Sequence, residues 1–138
     1  MLEVKDLTVH YGAIEAIHNI SFSVKEGEIV SLIGANGAGK TTILKTISGL
    51  IQPTNGQVSY YDKAIEKESA KQVVKEGISH VPEGRHVFGG MTVFENLEMG
   101  AFLRKDKEGI KSDLKRISQH QLRLSTNNVS FVDRLSTD

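Results

Sequence analysis

The sequence has no cysteine and no tryptophan, two prolines, three tyrosines and five phenylalanines among 138 residues. Without cysteine there is no disulfide framework, no zinc–thiolate site and no thiol nucleophile. The same absence is compatible with a reducing compartment. Neither charge is in excess: 17 Lys+Arg face 17 Asp+Glu. A zero balance gives no global pull toward nucleic acid or an anionic membrane. Long apolar runs are lacking too. The longest candidate, Ile29-Val30-Ser31-Leu32-Ile33, is far short of the ~18 residues of a spanning helix. The start, Met1 to Asp6, has no basic region leading into an apolar stretch, so it does not read as a secretory signal. The expected address is the cytoplasm. No internal repeat is present. The composition, 38% hydrophobic and 25% charged, suits one globular domain and excludes a wholly disordered tail.

Residues 2–33 read as β structure. Leu7, Val9 and Tyr11 alternate with polar residues up to Gly12, and Ile20, Phe22 and Val24 alternate again. Half-buried strands show this period of two. Lys25 to Glu28 reads as a turn. The run Ile29–Ile33 is apolar almost throughout, which predicts a strand covered on both faces, as in a parallel sheet. A helix is expected over Thr41–Ser48, with Ile43, Leu44 and Ile47 inward and Gly49 at its end. Pro53-Thr54-Asn55-Gly56 signals a turn. Strands are expected at Val58–Tyr61 and Ile78–Val81, and a short helix over Ser69–Glu76, stopped at Gly77. Thr92-Val93-Phe94-Glu95 has the T-x-x-E form of a capping box and predicts a helix to Leu103, with Val93, Leu97 and Ala101 on one face. The stretch Arg104–Arg116 holds six basic and three acidic residues and reads as a solvated helix face. From Ile117 onward, ten of 22 residues are Ser, Thr, Asn or Gln, and no regular structure is assigned to them.

The sharpest motif is Gly34-Ala35-Asn36-Gly37-Ala38-Gly39-Lys40-Thr41. It matches G-x-x-x-x-G-K-[ST], the P-loop. Glycines let the backbone wrap closely around phosphate oxygens, where a Cβ would clash or forbid the required φ. The loop then offers several amides to one anion, and a helix N-terminus behind it adds partial positive charge. Lys40 is placed to reach the β- and γ-phosphates, and the Thr41 hydroxyl to coordinate Mg²⁺. A dinucleotide G-x-G-x-x-G fingerprint is excluded, because position 36 is asparagine.

With these residues in view, the chain resembles the N-terminal half of an ATP-binding cassette (ABC) transporter ATPase. Gly34–Thr42 with Ile43 to Leu50, Pro53 to Val58 and Leu2 to Leu7 carry the likeness. Val81-Pro82-Glu83-Gly84-Arg85-His86-Val87-Phe88 and Met91 to Leu97 narrow it to the branched-chain amino acid importer ATPases. The likeness covers about residues 1–116 and implies an α/β P-loop NTPase fold, incomplete, with an antiparallel β portion at the N-terminus. It implies that Tyr11 stacks on adenine and that Gly34, Ala35, Asn36, Gly37, Ala38, Gly39, Lys40, Thr41 and Thr42 cradle ATP. It implies Mg²⁺ at Thr41 and Glu83, with Lys40 and Glu83 contributing to catalysis. Glu83 stands where most of the family has glutamine, and a carboxylate is a hard oxygen ligand suited to magnesium. Implied partners are a second ATPase subunit, membrane permease subunits and an external binding protein, at the inner face of the cell membrane. Val93, Phe94 and Phe102 are candidates for the permease contact or for local core. The five histidines (10, 18, 80, 86 and 120) show no metal spacing.

Beyond Arg116 the sequence shows no L-S-G-G, no apolar strand ending in Asp-Glu and no switch histidine. In the family these parts complete hydrolysis. The expectation is a chain truncated before those motifs, with residues 117–138 a non-matching polar tail derived from a frameshift or gene disruption. Weak ATP binding, no appreciable hydrolysis, low solubility and a broad melt are expected with it. The alternatives are a nucleotide-binding half-domain without catalysis and an inactive fragment. A small kinase is disfavoured, since Arg85 is the only arginine before position 104.

Overall fold

The computed structural model describes residues 1–84 and 87–124. They fall into two units, one over Met1–Glu83 and one from Gly84 onward.

The first unit is built on an antiparallel sheet ordered β2-β1-β3-β4. Its strands are β1 (Leu2–Tyr11), β2 (Ile14–Val24), β3 (Asn55–Tyr60) and β4 (Lys63–Ala64). The β1–β2 loop is Gly12-Ala13, with Gly12 at φ 59. The β3–β4 turn is Tyr61-Asp62, with both residues at positive φ (46 and 64), as a primed hairpin turn requires.

Strict alternation does not survive along β1 and β2. Val4 pairs with Phe22 and Leu7 with Ile20, so β1 carries one extra residue; Val9 then pairs with Ile17, so β2 carries the next. Of the three register shifts, one falls between Val9 and His10, and two are bulges at Asp6 (φ 48) and Asn19 (φ 45), residue types that tolerate the left-handed region. Their amides are taken up locally: Asp6 N–H donates to Ser21 Oγ (2.8 Å) and Asn19 N–H to Thr8 Oγ1 (3.2 Å). Each bulge flips the side-chain phase. Val4, Leu7, Val9 and Ile17 therefore all reach one core, with Val58 and Ile65.

Helix α1 (Lys40–Ile47) closes that core with Ile43 and Ile47. Leu44, expected inward, is half exposed, and Thr42 and Thr46 are buried in its stead. The Thr46 hydroxyl can be buried because it donates to the Thr42 carbonyl (2.8 Å). The helix ends in a Schellman motif at Gly49 (φ 71): Gly49 N–H bonds Thr46 O (3.1 Å) and Leu50 N–H bonds Lys45 O (2.9 Å). Helix α2 (Ala70–Lys75) is capped by Ser69 and ends the same way at Gly77.

Two predicted strands are absent. Residues 28–35 and 78–82 have no regular structure, and Ile29 and Ile33 are each 95% exposed. An apolar run specifies what a strand would bury, but a strand forms only where a neighbour pairs with its backbone. Among the described residues no strand does so. Leu32 and Ile78 alone lean on the core. Ile33→Ser is accordingly expected to leave urea stability within about 0.5 kcal/mol of the unmodified chain. A loss of 2 kcal/mol or more would place that side chain in a core.

In the second unit, α3 spans Val93–Gly100 and α4 Lys107–Leu124. The capping box is present in full: Glu95 N–H donates to Thr92 Oγ1 (3.2 Å) and Thr92 N–H to the Glu95 carboxylate (2.7 Å). Those bonds from the Thr92 amide and hydroxyl hold the Glu95 carboxyl below the usual carboxylate range. α3 stops at Gly100 rather than Leu103 and buries no residue; Val93, Phe94 and Phe102 are all exposed. Arg104 bridges Asp106 and Asp113, pinning the turn before α4. α4 runs on through 117–124, a stretch whose polar composition predicts no regular structure. The remainder of the predicted polar tail, 125–138, lies outside the described residues, as do Arg85 and His86.

Candidate functional site

The P-loop lies between the irregular segment 28–33 and α1. Gly37 and Gly39 both sit at φ 85, and Ala38 N–H turns back onto Ala35 O (3.1 Å). Gly39 is the N-cap residue of α1 and has no side chain to cap it. The first helical bond runs from Ile43 N–H to Gly39 O (2.9 Å). The amides of Lys40, Thr41 and Thr42 have no backbone acceptor among the described residues. They are donors at the positive end of a helix, the arrangement that binds anions.

Two glycines of the loop occupy positions that a Cβ would crowd. A Cβ on Gly34 would stand 3.1 Å from Ala38 Cβ. One on Gly39 would meet Ile17 Cδ1 and lie 2.8 Å from the Ala16 carbonyl oxygen. Side chains would therefore narrow the loop or lift it off β2. The Lys40 ammonium folds over the loop and donates to Gly34 O (2.8 Å) and Ala35 O (2.7 Å). Of its three N–H donors, one remains for a ligand. The cation is thereby held over the start of the loop.

Tyr11, at the end of β1, is half exposed, and its hydroxyl lies 3.5 Å from Thr42 Oγ1. This places the aromatic ring beside the first turn of α1. Residues 34–38 and Thr41 are exposed, while Thr42 is buried beneath them. The structure thus gathers Tyr11, the loop, Lys40, Thr41 and Thr42 at one end of α1. Glu83 is not gathered in the same way: it is exposed, and among the described residues nothing bonds it to the loop. No three His, Cys, Asp or Glu side chains form a metal cluster among the described residues.

Sequence reasoning missed the opposite end of α1. Ser48 Oγ lies 3.1 Å from His80 Nδ1. No spacing rule links positions 32 apart. The available signal was a hydroxyl residue next to a helix-ending glycine.

An antiparallel sheet, a glycine-walled loop with its lysine, and a helix pointing its free amides into that loop define a partial α/β P-loop nucleotide-binding cassette. The chain belongs to the ABC transporter family, whose model matches residues 17–137. It is 43% identical over 114 residues to BraG of Pseudomonas aeruginosa, a high-affinity branched-chain amino acid transport ATP-binding protein, covering 82% of this chain and 49% of BraG. It is 38% identical over 99 residues to AraG of Vibrio parahaemolyticus, an arabinose import ATP-binding protein, covering 72% of this chain and 20% of AraG. A dimeric post-hydrolysis structure of the ATP-binding cassette MJ0796 with ADP and Pi superposes with a TM-score of 0.71 at 28% identity, covering 83% of this chain and 55% of that one. The chain spans about half the length of BraG and about a fifth of AraG. No helix among the described residues is long and apolar enough to cross a membrane.

Proposed function

We propose that this chain is the nucleotide-binding part of the ATP-binding subunit of an ABC importer, and that the importer carries a branched-chain amino acid. The carrying observation is the array of three α1 amides that have no backbone acceptor among the described residues, next to a loop over which Lys40 folds. The identity to BraG supports the substrate class. In this reading residues 1–116 carry the nucleotide-binding portion of the cassette. Gly34 to Thr42 hold the phosphates, Lys40 neutralises them, and Tyr11 stacks on the base. Thr41 and Glu83 would hold Mg²⁺, which supplies charge neutralisation between the β- and γ-phosphates. The partners are a second ATPase subunit and membrane permease subunits, and the protein works at the inner face of the cell membrane.

Thermal melts against MgATP test this. Saturating ligand at 100 times its Kd adds about 2.7 kcal/mol of stability, and Lys40→Ala should lose that increment. No shift at millimolar MgATP, or the same shift in Lys40→Ala, would overturn the reading. For the substrate, deleting the gene should abolish uptake of labelled leucine and spare arabinose; the reverse pattern would reassign it.

A second reading, a module that holds nucleotide without hydrolysing it, is favoured by the placement of Glu83, which among the described residues makes no bond to the loop. Phosphate release by the pure chain that disappears in Lys40→Ala would exclude it.

A further inference from the structure

The bond between Ser48 and His80 takes no part in the phosphate loop, yet it joins the helix behind that loop to the segment carrying Glu83. Ser48 is the C-cap residue of α1 and is buried. Its hydroxyl lies 2.7 Å from the Leu44 carbonyl oxygen, with Lys45 O a longer second acceptor at 3.3 Å. A hydroxyl has one proton to give, and here α1 takes it. With that proton given to α1, the Ser48 oxygen is left to accept, and the 3.1 Å contact with His80 requires the tautomer with hydrogen on Nδ1. Residues 78–82 have no regular structure to hold them. Ile78 N–H bonds Val73 O (3.3 Å), and His80 makes the next polar contact. Val81 is 90% exposed, and Pro82 has no N–H to donate. Among the described residues, the His80 bond is the last polar tether before Glu83. The three residues from His80 to Glu83 span at most about 10 Å. α1 itself is a single rigid element, with free amides at one end and Ser48 at the other.

We propose that His80 is a positioning residue: by donating from Nδ1 to Ser48 it fixes the segment 78–83 to α1 and so sets where Glu83 meets the magnesium of a nucleotide held at the P-loop. The proposal rests on the reading of the loop as an MgATP site and deepens it. Nucleotide binding through the loop alone does not need this tether. The magnesium-dependent part of the affinity does.

The test uses the full chain, a fluorescent ATP analogue with excess Mg²⁺ or with EDTA, and four variants. Asparagine places an amide N–H where Nδ1 stands; glutamine places one where Nε2 stands. His80→Ala and His80→Gln are expected to weaken binding roughly 10-fold in Mg²⁺, the scale of a lost outer-sphere partner, and to leave binding in EDTA unchanged. His80→Asn should restore the magnesium increment, and adding Ser48→Ala to His80→Ala should bring no further loss. Nitrogen-15 spectra should show hydrogen on His80 Nδ1. Equal affinity of His80→Ala and the unmodified chain in Mg²⁺ would overturn the proposal. So would equal losses with and without magnesium, equal behaviour of the Asn and Gln variants, or hydrogen on Nε2 alone. Should His80→Ala fail to fold, the Asn and Gln pair, which keeps more of the side chain, decides the matter. Absence of binding by the unmodified chain in both buffers would instead sink the MgATP reading, and this proposal with it.

Discussion

Gly56→Ala is expected to destabilise the first unit by roughly 2–6 kcal/mol, enough to unfold most of it. Gly56 opens β3 at φ 94, a conformation that costs an L-residue about 1–3 kcal/mol. The new methyl would also lie 2.5 Å from Asp6 O, 2.6 Å from Lys5 O and 2.7 Å from Asp6 C. All three are backbone atoms, so no rotamer change relieves the contact. They belong to the β1 bulge, where β1 also slips against β3: Lys5 pairs with Gln57 but Thr8 with Asn55. Moving β3 away would separate Val58 from Val4 and Leu7, three side chains no more than 1% exposed, and such overpacking costs a further 1–3 kcal/mol or so. Gly12→Ala is the control. Gly12 also has positive φ (59), but a Cβ there meets nothing within 4 Å. Urea midpoints for the two variants within 0.5 M of one another, a difference of about 1 kcal/mol at ordinary slopes, would show that the bulge does not clamp Gly56.

That clamp illustrates what the sequence disclosed and what it did not. The P-loop was fully legible, since its glycines, lysine and threonine are each demanded by phosphate geometry at fixed local spacing. So were the ends of α1 and α2 at Gly49 and Gly77, and the Thr92–Glu95 box, because caps are local chemistry. The two bulges were not legible. They place Val4 and Ile17 inward against the simple alternation, and their signature is an Asp or Asn in left-handed conformation, which many turns share. Ile29–Ile33 shows the complementary failure. Its apolar character was read correctly, but pairing depends on strands elsewhere, and none among the described residues supplies it. In α4, polar composition masked a helical spacing, Ile110, Leu114 and Ile117, that continues past the point where the composition changes. Composition reports solvation, and spacing reports periodicity; in α4 the spacing prevailed.

Gly39→Ala should damage stability and nucleotide binding together, and the reason is the seam between site and core. Gly37 and Gly39 share the same φ of 85, so alanine at either incurs the same left-handed penalty, about 1–2 kcal/mol. Their surroundings differ. A Cβ at 37 meets nothing within 4 Å, whereas one at 39 meets Ile17 Cδ1 and the Ala16 carbonyl oxygen at 2.8 Å. Ile17 is 2% exposed, in the centre of the core. Either it is displaced, or the N-terminal turn of α1 lifts from β2 and its three free amides lose their common aim. Gly39→Ala is therefore expected to cost about 1–3 kcal/mol more than Gly37→Ala and to abolish the MgATP-induced rise in melting temperature. Ile17→Ala removes Cδ1 and should recover part of the packing cost in the double variant, so the two changes cost less together than separately. It cannot recover the contact with Ala16 O, which is backbone. Strict additivity of the two substitutions would mean that Gly39 serves the phosphate alone. Recovery of stability without recovery of binding would mean that β2, through Ile17 and Ala16, is what holds the loop in its anion-binding form.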